Sequence, residues 1–195
     1  MSRENLIKKL EVYKPMNSVE TDDRDCMLAF LNAHEDCFER SQLSGHVTGS
    51  SWIVNTGWDK ILLLHHIGLD KWLQPGGHCD GNPSPMETAF QEAEEETGLR
   101  PRLISEEIFD ISAQNIPVKG DVPAHIHYDI RYLFEADENL PLVLEEGKAS
   151  ELRWVPLDDI EDLVGDDKIF KETLMRMIDK TFWLKQNTQI ATSAA

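Results

Sequence analysis

Cations are scarce in this chain, and that scarcity excludes more than any other feature of its composition. Nineteen Lys and Arg stand against 36 Asp and Glu over 195 residues, a net charge of −17 at pH 7. Such a surface repels a phosphodiester backbone, so no standing partnership with nucleic acid is expected. A small polyphosphate is a different matter, because a divalent cation offsets charge locally. Cysteine is sparse too: Cys26, Cys37 and Cys79 make neither a disulfide framework nor a paired metal-ligand spacing. No apolar run approaches the ~18 residues of a membrane span, and Met1–Asn5 lacks a signal-peptide core. The expectation is a cytoplasmic, soluble protein without a membrane partner. Internal repeats and low-complexity linkers are also missing, and the length suits one well-buried domain with an appendage.

What is present is concentrated in residues 76–99. Glu92, Glu95 and Glu96 are spaced i, i+3, i+4, which on a helix puts three carboxylates on one side. Like charges so placed cost roughly 0.2–0.5 kcal/mol per pair, and a hard divalent cation supplies a reason to keep them. Ser84 is placed to cap a helix beginning near Pro85, with Glu87 three residues on as the second half of a capping box. Met86, Ala89, Phe90 and Ala93 form its apolar stripe. Gly98 suits a left-handed stop, and Gly76-Gly77 a sharp turn ahead of the helix. An acidic cluster is thus expected on a rigid element, close to a backbone stretch without side chains.

Elsewhere the pattern alternates between helix and strand. Residues 5–13 and 20–41 read as helices, the second with Met27, Phe30, Leu31, His34 and Phe38 at helical spacing and Cys26 and Cys37 as small core residues. Residues 47–54, 61–66, 102–111, 125–134 and 152–155 read as strands, and 166–184 as a closing amphipathic helix ahead of a frayed polar tail. The N-terminal helices either cover the main domain or form a homodimer contact. Residues 125–134 alternate cleanly, with Ile126, Tyr128, Ile130, Tyr132 and Phe134 on one face and His125, His127, Asp129 and Arg131 on the other. That second row is either a pocket wall, for a second metal or for phosphate oxygens, or the wet face of a sheet. His65 and His66 are expected to be satisfied locally by backbone, and the tryptophans to be core or cross-strand residues rather than base-stacking platforms.

The segment 76–99 resembles a Nudix box. Gly77 matches the opening glycine of that pattern, and Glu92, Ala93, Glu95, Glu96, Gly98 and Leu99 match its second half. Residues 44–55, Lys71–His78, Asp80-Gly81, His125–Asp129 and Glu151–Leu157 are similar to one subgroup that carries a Gly-Gly-His-x-Asp-Gly version of the box. The resemblance implies an α+β fold, an α/β/α sandwich with a mixed β-sheet, preceded here by a helical segment: 1–42 as extension, 43–187 as domain, 188–195 as tail. It implies Glu92, Glu95 and Glu96 as catalytic metal ligands, Mg²⁺ as the ion with Mn²⁺ as a substitute, and a nucleoside diphosphate linked to another moiety as the small-molecule substrate. Gly76, Gly77, His78, His127 and Asp129 are the substrate-side candidates, and Glu95, Glu145, Glu146 and Glu151 the candidate bases. Two positions depart from the family: Pro83 stands at its first glutamate and Gln91 at its arginine. Losing a cation beside three acids should weaken the charge balance there. Two rivals follow, a nucleotide-binding module without turnover and an isomerase that would use Cys79.

Overall fold

The computed structural model describes residues 1–163 and 168–193. The helix start expected at Asp166, the side chain of Ile169 and the last two residues of the expected tail lie outside the described residues. At the centre, β1 (Gly45–Asn55) and β7 (His125–Ala136) run parallel, paired from Gly45↔Ile126 to Asn55↔Ala136. Every other pairing between strands is antiparallel. β2 (Lys60–His66) and β4 (Gly76–His78) share the far edge of β1, β4 opposite Thr48–Ser50 and β2 at Val54↔Ile61. β3 (Lys71–Leu73) and β8 (Ala149–Pro156) flank β2, while β5 (Arg102–Leu103) and β6 (Asp110–Ile116) flank β7. The result is the mixed sheet of the expected α+β class.

Helices cover both faces, so β1 is buried along its whole length rather than on alternate residues. On one face α1 (Arg3–Val12), α2 (Ser18–Ala33) and α3 (Pro85–Thr97) pack Leu6, Leu10, Met27, Leu31, Ala89 and Ala93 against Val47, Ile130, Tyr132 and Phe134. The N-terminal helices cover the main domain and share this core. On the other face Leu174, Met177 and Ile178 of α5 (Lys168–Ser193) meet Trp52, Val54 and Leu133, and Ile160 of the short α4 (Ile160–Leu163) joins them. α5 runs on to Ser193, past the 187/188 boundary expected from composition.

Two elements differ from expectation. The helix expected over 20–41 ends at Ala33, with His34 already extended. The carbonyls of Cys37 and Phe38 accept from Val47 and Gly81 N–H instead, and a continued helix would have consumed them. Phe38 and Cys37 are buried, but off the helix, and Cys26 is exposed. The strand expected over 102–111 is broken into β5 and β6, because residues 105–108 leave the edge of β7 between the Ile104 N–H bond to the Leu133 carbonyl and the Phe109 N–H bond to the Arg131 carbonyl.

The row on β7 is not a wet face. Asp129 and Arg131 are buried and pair at 2.9 Å; Arg131 also donates to Asp110 at 2.9 Å and to Ser112 Oγ at 2.9 Å. Asp110, fully buried, takes both nitrogens of an Arg176 fork at 2.8 Å and Lys180 Nζ at 2.7 Å. Lys180 reaches on to the buried Glu20, which also accepts from Tyr13 Oη. Three carboxylates and three cations therefore balance inside one chain of contacts, which ties α1 and α2 to β6, β7 and α5. Burial would raise the Asp110 carboxyl, but Arg176, Lys180 and Arg131 overcome it and hold the group at about 2.

Candidate metal and phosphate site

The box folds as its local chemistry predicts. Ser84 Oγ accepts from Glu87 N–H at 3.4 Å, Pro85 opens α3, and Gly98 closes it with φ 71°. The reciprocal half of the capping box is not made; Ser84 N–H donates to Asn82 Oδ1 at 3.0 Å instead. Gly77 lies under the helix so closely that a Cβ there would come within 2.0 Å of Glu92 Oε1, so a side chain at this position would push the Glu92 carboxylate aside. The neighbouring Gly76 N–H donates to Glu96 Oε2 at 2.9 Å.

Glu92 and Glu96 are brought together, and Glu95 is not. One turn of helix separates the first two, whereas Glu95 is rotated about 100° from Glu96 and stands exposed. Between Glu92 and Glu96 sits a cation absent from sequence reasoning: Lys148 Nζ contacts Glu92 Oε2 at 2.8 Å and Glu96 Oε1 at 2.7 Å, with Glu145 Oε2 3.8 Å away. Lys148 supplies the positive charge that Gln91 fails to provide, so the expected imbalance is corrected from the turn that precedes β8. Its carboxylate partners keep it protonated against the opposing effect of burial. Burial pushes the Glu96 carboxyl up to about 7, the Lys148 contacts pulling the other way. Of the candidate bases away from α3, Glu145 is at the site, whereas Glu151 is tied to Arg153 at 2.6 Å on β8. Lys148 follows Glu145-Glu146-Gly147, and a lone cation ending an acidic turn was the signal that could have found it.

The remaining candidates lie across the sheet. Successive residues of β4 face opposite ways, so Gly77 faces α3 while His78 faces the side of His46, Thr48 and Ser50 on β1 and His127 and Asp129 on β7. Asp129 accepts from Thr48 Oγ1 at 2.9 Å and Ser50 Oγ at 2.8 Å, besides its pairing with Arg131. His127 joins His46, His78 and His125 in a cluster whose ring centroids stand 4.8–5.0 Å apart. Burial, together with the neighbouring rings and Arg40, pushes His78 down to about 4 and His127 to about 3. Among the described residues, the group of metal-ligating side chains whose donor atoms all fall within 4.8 Å of one another is His46, His125 and His127, not the three glutamates. Arg40 forks onto Asp80 beside this cluster, its Nε 2.5 Å from Oδ1.

Other residues behave as structural ones. His65 bonds Ser150 Oγ at 2.8 Å and His66 Nδ1 accepts from Gly68 N–H at 3.0 Å. Trp52 and Trp58 are core. Cys79 is buried, and burial pushes its thiol up to about 12, far from a thiolate at neutral pH. No helix among the described residues is long and apolar enough to cross a membrane.

With the geometry in place, comparison with known proteins agrees on one family. The NUDIX domain model matches residues 46–176, and the chain belongs to that family. It is 37% identical over 116 residues to the CMP-5'-(N-acetyl-N-hydroxy-3-aminopropyl)phosphonate hydrolase of Streptomyces rubellomurinus, covering 57% of this chain and 52% of that one. It is 30% identical over 102 residues to a probable DHNTP pyrophosphohydrolase of Lactococcus lactis, covering 51% and 57%. The chain thus spans little more than half the length of these relatives. A NUDIX-family hydrolase from Clostridium perfringens shares the fold, with a TM-score of 0.52 at 24% identity over 71% of this chain and 97% of that one.

Proposed function

We propose that the protein hydrolyses a pyrophosphate bond in a nucleoside diphosphate linked to another moiety, with Mg²⁺ held by Glu92 and Glu96 and Mn²⁺ able to replace it, Glu95 standing beside them on α3 rather than in the ligand pair. The observation that carries this reading is the pair of carboxylates gathered round one cation, Lys148, against the backbone of Gly76 and Gly77. The donor set suits a hard ion: carboxylate oxygens without thiolate, and at Glu145 a buried Oε2 that has no hydrogen-bond partner. Both curated relatives are named for hydrolysis of phosphorus compounds, which supports the same class of bond.

When bound, the ion neutralises phosphate oxygens and the charge that develops on the leaving group. The protein's own groups do the rest. Glu92 and Glu96, fixed on one helix face, hold the ion in register with the β4 backbone, and Gly76 and Gly77 line the run of the diphosphate, whereas His78 faces the other side of β4. Lys148 offsets the carboxylates whenever the ion is away. Glu95, exposed at the rim of α3, takes the proton from the attacking water, with Glu145 as the second acid within reach of the site. His127 and Asp129 belong to the substrate side of the sheet, Asp129 acting through Thr48 and Ser50, which it holds.

A panel of nucleoside diphosphate derivatives, assayed with Mg²⁺ or Mn²⁺ for release of the nucleoside monophosphate and the phosphorylated second moiety, tests the reading. Wild type should turn over at least one substrate class only with metal, and Glu95→Gln and Glu96→Gln should lose that turnover. Folded wild-type protein that binds nucleotide yet releases no product across the panel would overturn it in favour of the binding module.

A further inference from the structure

The imidazole cluster is outside the carboxylate site, on the opposite face of β4, and nothing in the hydrolytic reading uses all of it. Four histidines from three strands meet there: His46 on β1, His78 on β4, and His125 and His127 on β7. His46 is 4% exposed, and neither of its ring nitrogens makes a hydrogen bond of ordinary geometry; the Gln42 carbonyl lies near enough only to favour a proton on the ring. A buried imidazole left so is costly, since an unsatisfied polar group forgoes the hydrogen bonds it would make in water.

His125 shows how the rings are set. One of its nitrogens, Nδ1, is 2.9 Å from the Pro123 carbonyl and must donate to it, which leaves the lone pair of Nε2 free. That lone pair points at His127 Nε2, 3.0 Å away. A ring that donates through one nitrogen to a backbone carbonyl and offers the other inward is the usual arrangement of a metal-binding histidine. The spacing agrees: with Zn–N near 2.0–2.1 Å, two ligands of a tetrahedral zinc lie about 3.3 Å apart. His46, His125 and His127 already bring their donor atoms within 4.8 Å of one another, and small side-chain rotations close the remainder.

We propose that His46, His125 and His127 form a binding site for a transition-metal ion of the zinc class, with His78 beside them as a fourth ligand. The chemistry of the donors separates this site from the one on α3. Neutral imidazoles favour zinc and its neighbours and bind magnesium poorly, whereas carboxylates favour magnesium. Two faces of one strand then sort two kinds of ion, and the proposal holds whatever the hydrolytic activity turns out to be.

The test is titration of the full chain, stripped with chelator, with Zn²⁺ followed calorimetrically and with Co²⁺ followed by its visible ligand-field bands. One equivalent of zinc should bind to wild type and equally to the Glu92→Gln/Glu95→Gln/Glu96→Gln variant, undisturbed by excess Mg²⁺. His127→Gln and His125→Gln should each weaken it at least about 100-fold, the upper end of what losing even an outer partner of a ligand costs. Circular dichroism of the metal-free variants checks their folding; should His127→Gln not fold, the half-exposed His125 decides. Zinc lost only from the glutamate variant, or no zinc bound by folded wild type at micromolar concentration, overturns the proposal.

Discussion

Replacing Lys148 with methionine keeps the length of the side chain and deletes its charge. In the native protein the ammonium contacts Glu92 and Glu96 at 2.8 and 2.7 Å, with Glu96 2% exposed and Lys148 31% exposed. Removing one partner of a fully buried pair costs about 3–5 kcal/mol, and partial solvent access at Lys148 reduces this to about 2–3 kcal/mol. For a domain of this size each kcal/mol moves Tm by roughly 2–4 °C, so the metal-free variant should melt about 5–10 °C below wild type. A divalent ion at the same carboxylates replaces the missing charge. The gap should therefore narrow sharply in saturating Mg²⁺, and Lys148→Met should bind Mg²⁺ more tightly than wild type because the competing ammonium is gone. Scanning calorimetry with EDTA and with Mg²⁺, on both proteins, measures each quantity. An equal loss of Tm in both buffers would refute the reasoning, because Lys148 would then be acting through packing and not as the counter-ion of a metal site.

Gly77→Ala should separate activity from stability: its Cβ meets only the mobile end of Glu92, so Tm changes by a few degrees, while turnover falls about 100-fold through a misplaced carboxylate. Melting and steady-state kinetics on the same preparation decide it. The depressed Asp110 carboxyl contributes stability that is complete above its ordinary value of 3.8 and is lost as pH falls through about 2. That amounts to about 2 kcal/mol, and Asp110→Asn, which leaves one buried positive charge uncompensated among Arg131, Arg176 and Lys180, should cost about 3–5 kcal/mol near neutrality and flatten this acid limb in urea titrations between pH 5 and 2. Cys79→Ser should leave metal-dependent turnover intact; a collapse with the fold unchanged would restore the isomerase.

Local chemistry was legible and long-range chemistry was not. The cap at Ser84, the stop at Gly98 and the alternation along β7 depend on residues a few positions apart, and the structure realises all three. The helix expected to continue to residue 41 failed because Phe38 keeps helical phase while its carbonyl is claimed by Gly81, more than 40 residues away. The choice left open on β7 between a pocket wall and a wet face could not be made from alternation alone, because Asp110, Arg176 and Lys180 arrive from other elements to bury Arg131 and its neighbours. Lys148 lies 52 residues beyond Glu96, and His46 lies 79 before His125, so neither partnership leaves a periodic trace.

The buried ion chain also redefines where the folding unit ends. Division by pattern suggests that residues 1–42 are an appendage and 43–187 the enzyme. Yet Glu20 and Tyr13 close the charge balance round Lys180 and Arg176 on the far helix. Cutting at residue 43 would remove one of three buried anions and leave an uncompensated positive charge beneath α5, besides stripping Leu6, Leu10 and Met27 from the core. The two ends of the chain are thus thermodynamically one element: a protein shortened at its start should first fail at its finish.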